Sequence, residues 1–137
     1  MSEEEVAPVR RLVEALSAGD YDRAARELHP EAEWRNTSEF PGPLRVVGAR
    51  SIRDFWEDLF EAYGASAAAS GMELERVAEA GDIVVALVHG WGHGRGSGIP
   101  FDTRWAHTLR VREGKIDRVA TFGAYERALA AAEVSDT

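Results

Sequence analysis

Met72-Glu73-Leu74-Glu75-Arg76-Val77-Ala78-Glu79, then Ala80-Gly81-Asp82, then Ile83-Val84-Val85-Ala86-Leu87-Val88-His89-Gly90-Trp91, is the stretch on which the fold turns. Before it, apolar residues recur at steps of three and four; from Met72 onward the period becomes two, that of a strand. Met72 to Glu79 reads as one strand, Ala80-Gly81-Asp82 as a tight turn, and Ile83 to about Arg95 as a long second strand. Phe101 to Arg112 follows as a third strand, Glu113-Gly114 as a hairpin turn, and Lys115 to Phe122 as a fourth strand.

Upstream the pattern is helical. Ser2 and Glu5 have the spacing of a capping box, and Val6, Val9, Val13 and Leu16 form the stripe of a helix lying on a core. Gly19 ends it, and Asp20 is placed to cap a shorter helix carrying Tyr21, Ala24, Ala25 and Leu28, which His29-Pro30 should stop. A short strand over Ala32 to Arg35, an irregular loop from Asn36 to Pro43 and a small edge strand over Leu44 to Val47 come next. Ser51 is expected to cap a third helix with Ile52, Phe55, Trp56, Leu59, Phe60 and Tyr63 on one broad face. Gly64 to Gly71 reads as a connection, and Ala124 to Ala132 as a closing helical turn. Helices first and an antiparallel meander second predict one α+β domain, with the helices gathered on one face of the sheet.

The chain of 137 residues has the size of a single domain, with 45% hydrophobic and 29% charged residues, a globular balance. A net charge of −8 with scattered basic residues argues against a nucleic-acid or membrane partner. With no cysteine, disulfides, thiolate catalysis and cysteine-based metal sites are excluded. The acidic start lacks the pattern of a signal peptide, and no apolar run approaches a membrane span, so a cytoplasmic location is expected.

Alternation divides the strands into faces. On the second strand Val85, Leu87, His89, Trp91 and His93 share one side, and Gly90, Gly92 and Gly94 the other. On the third, Trp105, His107, Leu109 and Val111 lie opposite Arg104, Ala106, Thr108, Arg110 and Arg112. The sets carrying histidine and tryptophan are taken as the inside. Glycines 90 to 98 recur at a period of two and lead into Pro100 and another strand, unlike a phosphate loop; they are expected to let the sheet bend or another backbone approach. Val84, Ala86 and Val88 would then lie outside as an apolar patch, which predicts a homodimer of paired convex faces. His89 and His93, four apart on a strand, do not converge on a metal, so neither metal nor cofactor is expected.

Several landmarks occur together in order: Gly19-Asp20, His29-Pro30-Glu31-Ala32-Glu33-Trp34, Gly48-Ala49-Arg50-Ser51-Ile52-Arg53-Asp54-Phe55-Trp56, Ala80-Gly81-Asp82, Gly96-Ser97-Gly98 and Arg112-Glu113-Gly114-Lys115-Ile116. In these the chain resembles the SnoaL-like branch of the NTF2-like families, from Val6 to Tyr125. The resemblance implies a conical, curved antiparallel sheet wrapped around N-terminal helices, the cone being a pocket for a small hydrophobic ligand. It also implies polyketide cyclases, isomerases, epoxide hydrolases and plain binders as relatives, so the fold does not settle the activity.

Carried over from the ketosteroid-isomerase-like relatives, the proton-shuttle position holds Asn36, the tyrosine position Leu12 and the protonated-acid position His107. In those relatives an aspartate shuttles the proton while a tyrosine and a protonated aspartate stabilise the enolate, so these roles are borrowed. Asparagine accepts no proton at neutral pH, so that mechanism should not operate. An epoxide-hydrolase set needs acids facing the pocket, and neither inward face supplies one. The candidate catalytic residue is therefore His107, working as a neutral imidazole. Trp34, Asn36, Phe55, Trp56, Phe60, His89, Trp91, Trp105 and Leu109 are the candidate ligand-binding residues. Two readings follow: acid–base isomerisation or cyclisation of a hydrophobic cyclic compound, or a non-catalytic module that holds an apolar ligand or only dimerises.

Overall fold

The structure, a computed structural model, describes residues 3–37, 43–62, 71–93 and 100–136. The expected cap at Ser2, the centre of the loop before Pro43, Tyr63 with most of the alanine-rich connection, and Gly94 to Gly98 lie outside those residues. The apolar stripe of α1 (Glu3–Ser17) buries Val6, Val9, Leu12, Val13 and Ala15. Gly19, at φ +72°, turns the chain, and the Asp20 carboxylate accepts from the Arg23 N–H at 3.1 Å to open α2 (Tyr21–Ala25).

Helix α3 (Ala49–Ala62) begins two residues before the expected Ser51 cap. Gly48, at φ +98°, takes that place: its carbonyl accepts from the Ile52 N–H at 2.9 Å, leaving Ser51 exposed in the first turn. Nor does Pro30 end α2, which stops at Ala25. Pro30 lies within β1 (Leu28–Arg35), in the interval between Leu28 and Glu33 where the ladder is irregular, so its missing N–H is tolerated.

Four strands form the expected meander: β3 (Gly71–Ala80), β4 (Ile83–His93), β5 (Pro100–Arg112) and β6 (Lys115–Phe122). With β1 and the small strand β2 (Arg45–Val47) they make one curved six-stranded sheet in the order β2-β1-β6-β5-β4-β3. The hairpin between β5 and β6 turns on Glu113 (φ 53°) and Gly114 (φ 77°), both left-handed, which matches the twist of the strands it joins. The α+β cone expected from the sequence is the observed fold, with two corrections.

The sheet is mixed rather than wholly antiparallel, because β1 runs parallel to β6, with Trp34 opposite Val119 and Arg35 opposite Ala120. The helices also occupy both faces. Helix α4 (Tyr125–Asp136) is a full helix rather than a turn, and Ala128 and Ala132 on it pack against Val85 and Ala106. The main core lies on the other face, where α1 and α3 meet Val84, Ala86, Leu109, Val111, Ile116 and Val119.

That division reverses the expected faces of β4. Ala86 pairs with His107, Val88 with Trp105 and Val84 with Leu109, so even-numbered residues of β4 share a face with odd-numbered residues of β5. Val84, Ala86 and Val88 point into the cone and are buried. The apolar patch expected to pair two copies is therefore not on the outer surface, and the homodimer loses its basis. Val85, on the outer face, is covered by α4. No described helix is long and apolar enough to cross a membrane.

Candidate functional site

Between the inner face of the sheet and helices α1 and α3 lies a cavity of about 350 Å³. Each wall follows from a pattern in the sequence. The stripe of α1 supplies Leu12 and Leu16, and the aromatic face of α3 supplies Phe55, Trp56, Leu59 and Phe60. Strand β1 contributes Trp34 and Asn36 follows at its end, while β5 contributes Phe101, Thr103, Trp105, His107 and Leu109. Among the described residues that line the cavity there is no Asp, Glu, Lys or Arg.

His107 sits in this apolar shell, buried, with Trp34 edge-on at 5.3 Å between ring centroids. Its Nε2 accepts from the Trp105 indole N–H at 2.9 Å, and Nδ1 lies 3.2 Å from the Thr121 hydroxyl. An indole can only donate, so Nε2 must carry the lone pair. In the neutral ring Nδ1 then bears the hydrogen and donates it to Thr121. Burial disfavours the imidazolium and pushes the pKa down to about 4, against a smaller upward pull from the Ala120 backbone. The ring is therefore neutral at pH 7.

Asn36 is held in one orientation. Its Oδ1 accepts from the Trp34 indole at 3.0 Å, and its Nδ2 donates to the Pro43 carbonyl at 3.0 Å. The Trp56 indole nitrogen is buried with no hydrogen-bond partner, and Trp34 meets that ring edge to face at 5.6 Å.

The glycine at position 90 is explained by Trp105. A Cβ built there would come within 2.5 Å of the outer edge of the Trp105 ring, closer than side chains pack. The glycine thus makes room for a cross-strand indole, where a bend or an approaching backbone was expected. Gly71 does the same for Trp91, whose ring would lie 2.8 Å from a Cβ there. Trp91 lines the cavity yet remains 38% exposed.

His89 is not in the cavity. It lies on the outer face, with Nδ1 at 3.1 Å from Glu73 and Nε2 at 2.9 Å from Asp102. Hydrogen bonds to Glu73 and then Asp102 hold its pKa above the usual histidine value. Glu73, Glu75 and His89 bring three possible ligand atoms within 4.8 Å of one another. Their charges are already matched: Arg104 Nε donates to both oxygens of Glu75 at 3.0 Å, and His89 pairs with Glu73 and Asp102.

The fold is also what the comparison with known proteins finds. A model of the SnoaL-like domain matches residues 9–119. The chain belongs to the SnoaL-like domain family. No curated protein matches the sequence. Solved structures share the fold at low identity. A protein assigned as a SnoaL-like polyketide cyclase from Jannaschia sp. CCS1 is 20% identical, with a TM-score of 0.73 over 93% of this chain and 90% of that one. One assigned as an isomerase from Bacillus subtilis is 18% identical, with a TM-score of 0.75 over 95% and 96%. TerC, co-crystallised with polyporic acid, is 18% identical, with a TM-score of 0.72 over 95% and 98%.

The SnoaL-like cone gathers most of the expected residues. Leu12, Asn36 and His107, the three borrowed positions, all line it, as do Trp34, Phe55, Trp56, Phe60, Trp91, Trp105 and Leu109. His89 is the exception. Sequence reasoning missed three hydroxyl residues of the lining, Ser17, Thr103 and Thr121, and Ala86, Val88 and Gly90 on β4. Thr121 carried a usable signal, since it lies on the strand next to His107 and alternates with Ala120 and Phe122.

Proposed function

We propose that this SnoaL-like domain binds a neutral, hydrophobic, ring-containing small molecule in its cone. The observation that carries the reading is the aromatic lining, uncharged among the described residues: an ionic ligand would lose its hydration there and meet no counter-charge from them. The cavity volume of about 350 Å³ falls within the ordinary range of small-molecule sites. TerC, co-crystallised with polyporic acid, is a structural relative that takes a small organic molecule, which supports a small-molecule ligand here. Thr121 and Asn36, which keep hydrogen-bonding capacity beyond their contacts within the protein, then orient the ligand's polar groups.

A second reading, acid–base isomerisation or cyclisation through His107, is favoured by the cyclase and isomerase assignments of the structural relatives. It makes a stricter demand. A base whose pKa is about 4 takes few protons at neutral pH, and its lone pair is already engaged by Trp105. Binding therefore stands first.

The test is mass spectrometry of compounds retained through native purification, with each hit added back to native protein and to Trp56→Ala. A retained ring compound that binds the variant at least about tenfold more weakly supports the site, as loss of a large apolar contact should. Retention of charged compounds only, or binding indifferent to Trp56, would overturn it. Conversion of a retained compound to an isomer, abolished in His107→Phe, would move the reading to catalysis.

A further inference from the structure

Every hydrogen-bonding position of the His107 ring is filled from within the protein. Nδ1–H faces Thr121, and Nε2 receives the Trp105 indole N–H at 2.9 Å. The two engagements differ in kind. The Thr121 contact is between neighbouring buried strands, where His107 and Thr121 stand directly opposite. Trp105 is only partly buried, lines the cavity, and rests where position 90 has no side chain. An indole on a strand is a bulky way to satisfy one imidazole, and its seat exists only because residue 90 is glycine.

We infer that Trp105, seated on Gly90, is a built-in stand-in for the ligand at His107 Nε2, and that the site selects ring compounds carrying a hydroxyl that can donate to that nitrogen. The chemistry follows from the tautomer. The Ala120 backbone also accepts from the ring and keeps the hydrogen on Nδ1 when the indole leaves, so Nε2 can only accept, and a carbonyl or ether oxygen presented to it would meet a lone pair. A hydroxyl takes over the bond that the indole N–H gives up, with no change in the protonation of His107. The inference rests on the ring-compound reading above and adds the group that the ring must carry.

The experiment compares 2-naphthol with 2-methoxynaphthalene by calorimetry on the native chain and on Trp105→Phe. Phenylalanine keeps an aromatic ring at the seat and removes the competing donor. The preference for 2-naphthol over 2-methoxynaphthalene should rise roughly three- to tenfold in Trp105→Phe, the worth of about one hydrogen bond, whatever the smaller ring does to the affinity of both; an unchanged preference refutes the stand-in. In the ligand-free protein, Gly90→Ala should push the indole off its seat, and the ¹⁵N resonance of His107 Nε2 should move to the position of a nitrogen without a donor. If both compounds bind and neither distinguishes the two proteins, the ring-compound reading stands and the stand-in is refuted. If neither compound binds either protein, the ring-compound reading itself falls and takes this inference with it. An unmoved Nε2 resonance in a folded Gly90→Ala protein also overturns it, by showing that the seat does not hold the bond.

Discussion

His107 and His89 lie on neighbouring strands of one sheet, yet their surroundings drive their charge in opposite directions. His107 faces the cone among tryptophans, where desolvation lowers its pKa to about 4. His89 faces outward among carboxylates, where hydrogen bonds to Glu73 and Asp102 raise its pKa. The same side chain is thus a neutral acceptor inside and a cation-favouring bridge outside. Residue type alone says little about role; the face of the strand decides it.

The largest expected effect separates the two by acid. A histidine with a depressed folded pKa contributes stability that is complete above the unfolded value and lost as pH falls, because the unfolded chain then binds more protons. For His107 the window runs from the unperturbed value of about 6.5 down to about 4, so acidification across it should cost about 3 kcal/mol. His89 works in the opposite sense: its contribution is complete below the unfolded value and is lost as pH rises through its raised folded pKa. Urea denaturation of native protein and His107→Phe, each at pH 6.5 and pH 4, checks the first claim. Equal losses in both proteins would break the comparison.

A smaller effect concerns the outer face's best-formed ion pair. Arg110 donates to both oxygens of Asp117, at 2.8 and 2.9 Å, beside the ladder irregularity between Arg110 and Val111. Burial pushes the Asp117 carboxyl up, but the Arg110 hydrogen bonds together with the charges of Arg110, Arg112 and Arg118 outweigh it and hold the pKa below the usual value. Asp117→Asn should cost about 1 kcal/mol at pH 7, the upper range for a partly exposed pair, and leave ligand binding in the cone unchanged. A loss of binding affinity in that variant, measured with the same retained compound, would show that the two faces are coupled.

The smallest effect is expected at His89. His89→Asn should leave thermal unfolding near its native midpoint and ring-compound binding untouched, since the side chain lies outside the cone. NMR titration of the native chain should show His89 changing charge above pH 6.5, while His107 stays silent until far lower pH. A common titration midpoint would mean that the two rings share one environment.

The same contrast marks where the sequence was legible. On β5, Trp105, His107, Leu109 and Val111 alternate with Arg104, Thr108, Arg110 and Arg112, so one face is apolar and the other polar, and the inside is plain. On β4, Ile83 to Val88 is apolar without interruption because α4 covers one face and α1 and α3 the other. Periodicity cannot orient a strand buried on both sides. Side-chain size then favours His89 over Gly90, and there size misleads: the room beside Gly90 is filled from β5 by Trp105.

Turns were legible because they are local. The turns expected at Ala80-Gly81-Asp82 and Glu113-Gly114 are present, with Gly81, Glu113 and Gly114 in left-handed backbone. The parallel partner of β1 was not legible, because nothing near Trp34 in the sequence points to Val119. Among the site residues, the aromatic face of α3 and the inward set of β5 could be read from spacing. Leu12, Asn36 and His107 came together through family resemblance, and Thr121 only through the register of β6.

The pairing of β1 with β6 has a consequence for biosynthesis. Trp34 and Asn36 are made well before the strand that flanks β1, with five other elements between the two. Distant pairings of this kind must wait for the intervening chain to be ordered, which slows folding and leaves apolar surface uncovered meanwhile. A nascent chain stalled before Lys115 is expected to hold α1, α2, α3 and the β3–β4 hairpin but to bind no ring compound. Release of β6 should bring binding on in a single step, and gradual gain along the series of stalled lengths would count against that order of assembly.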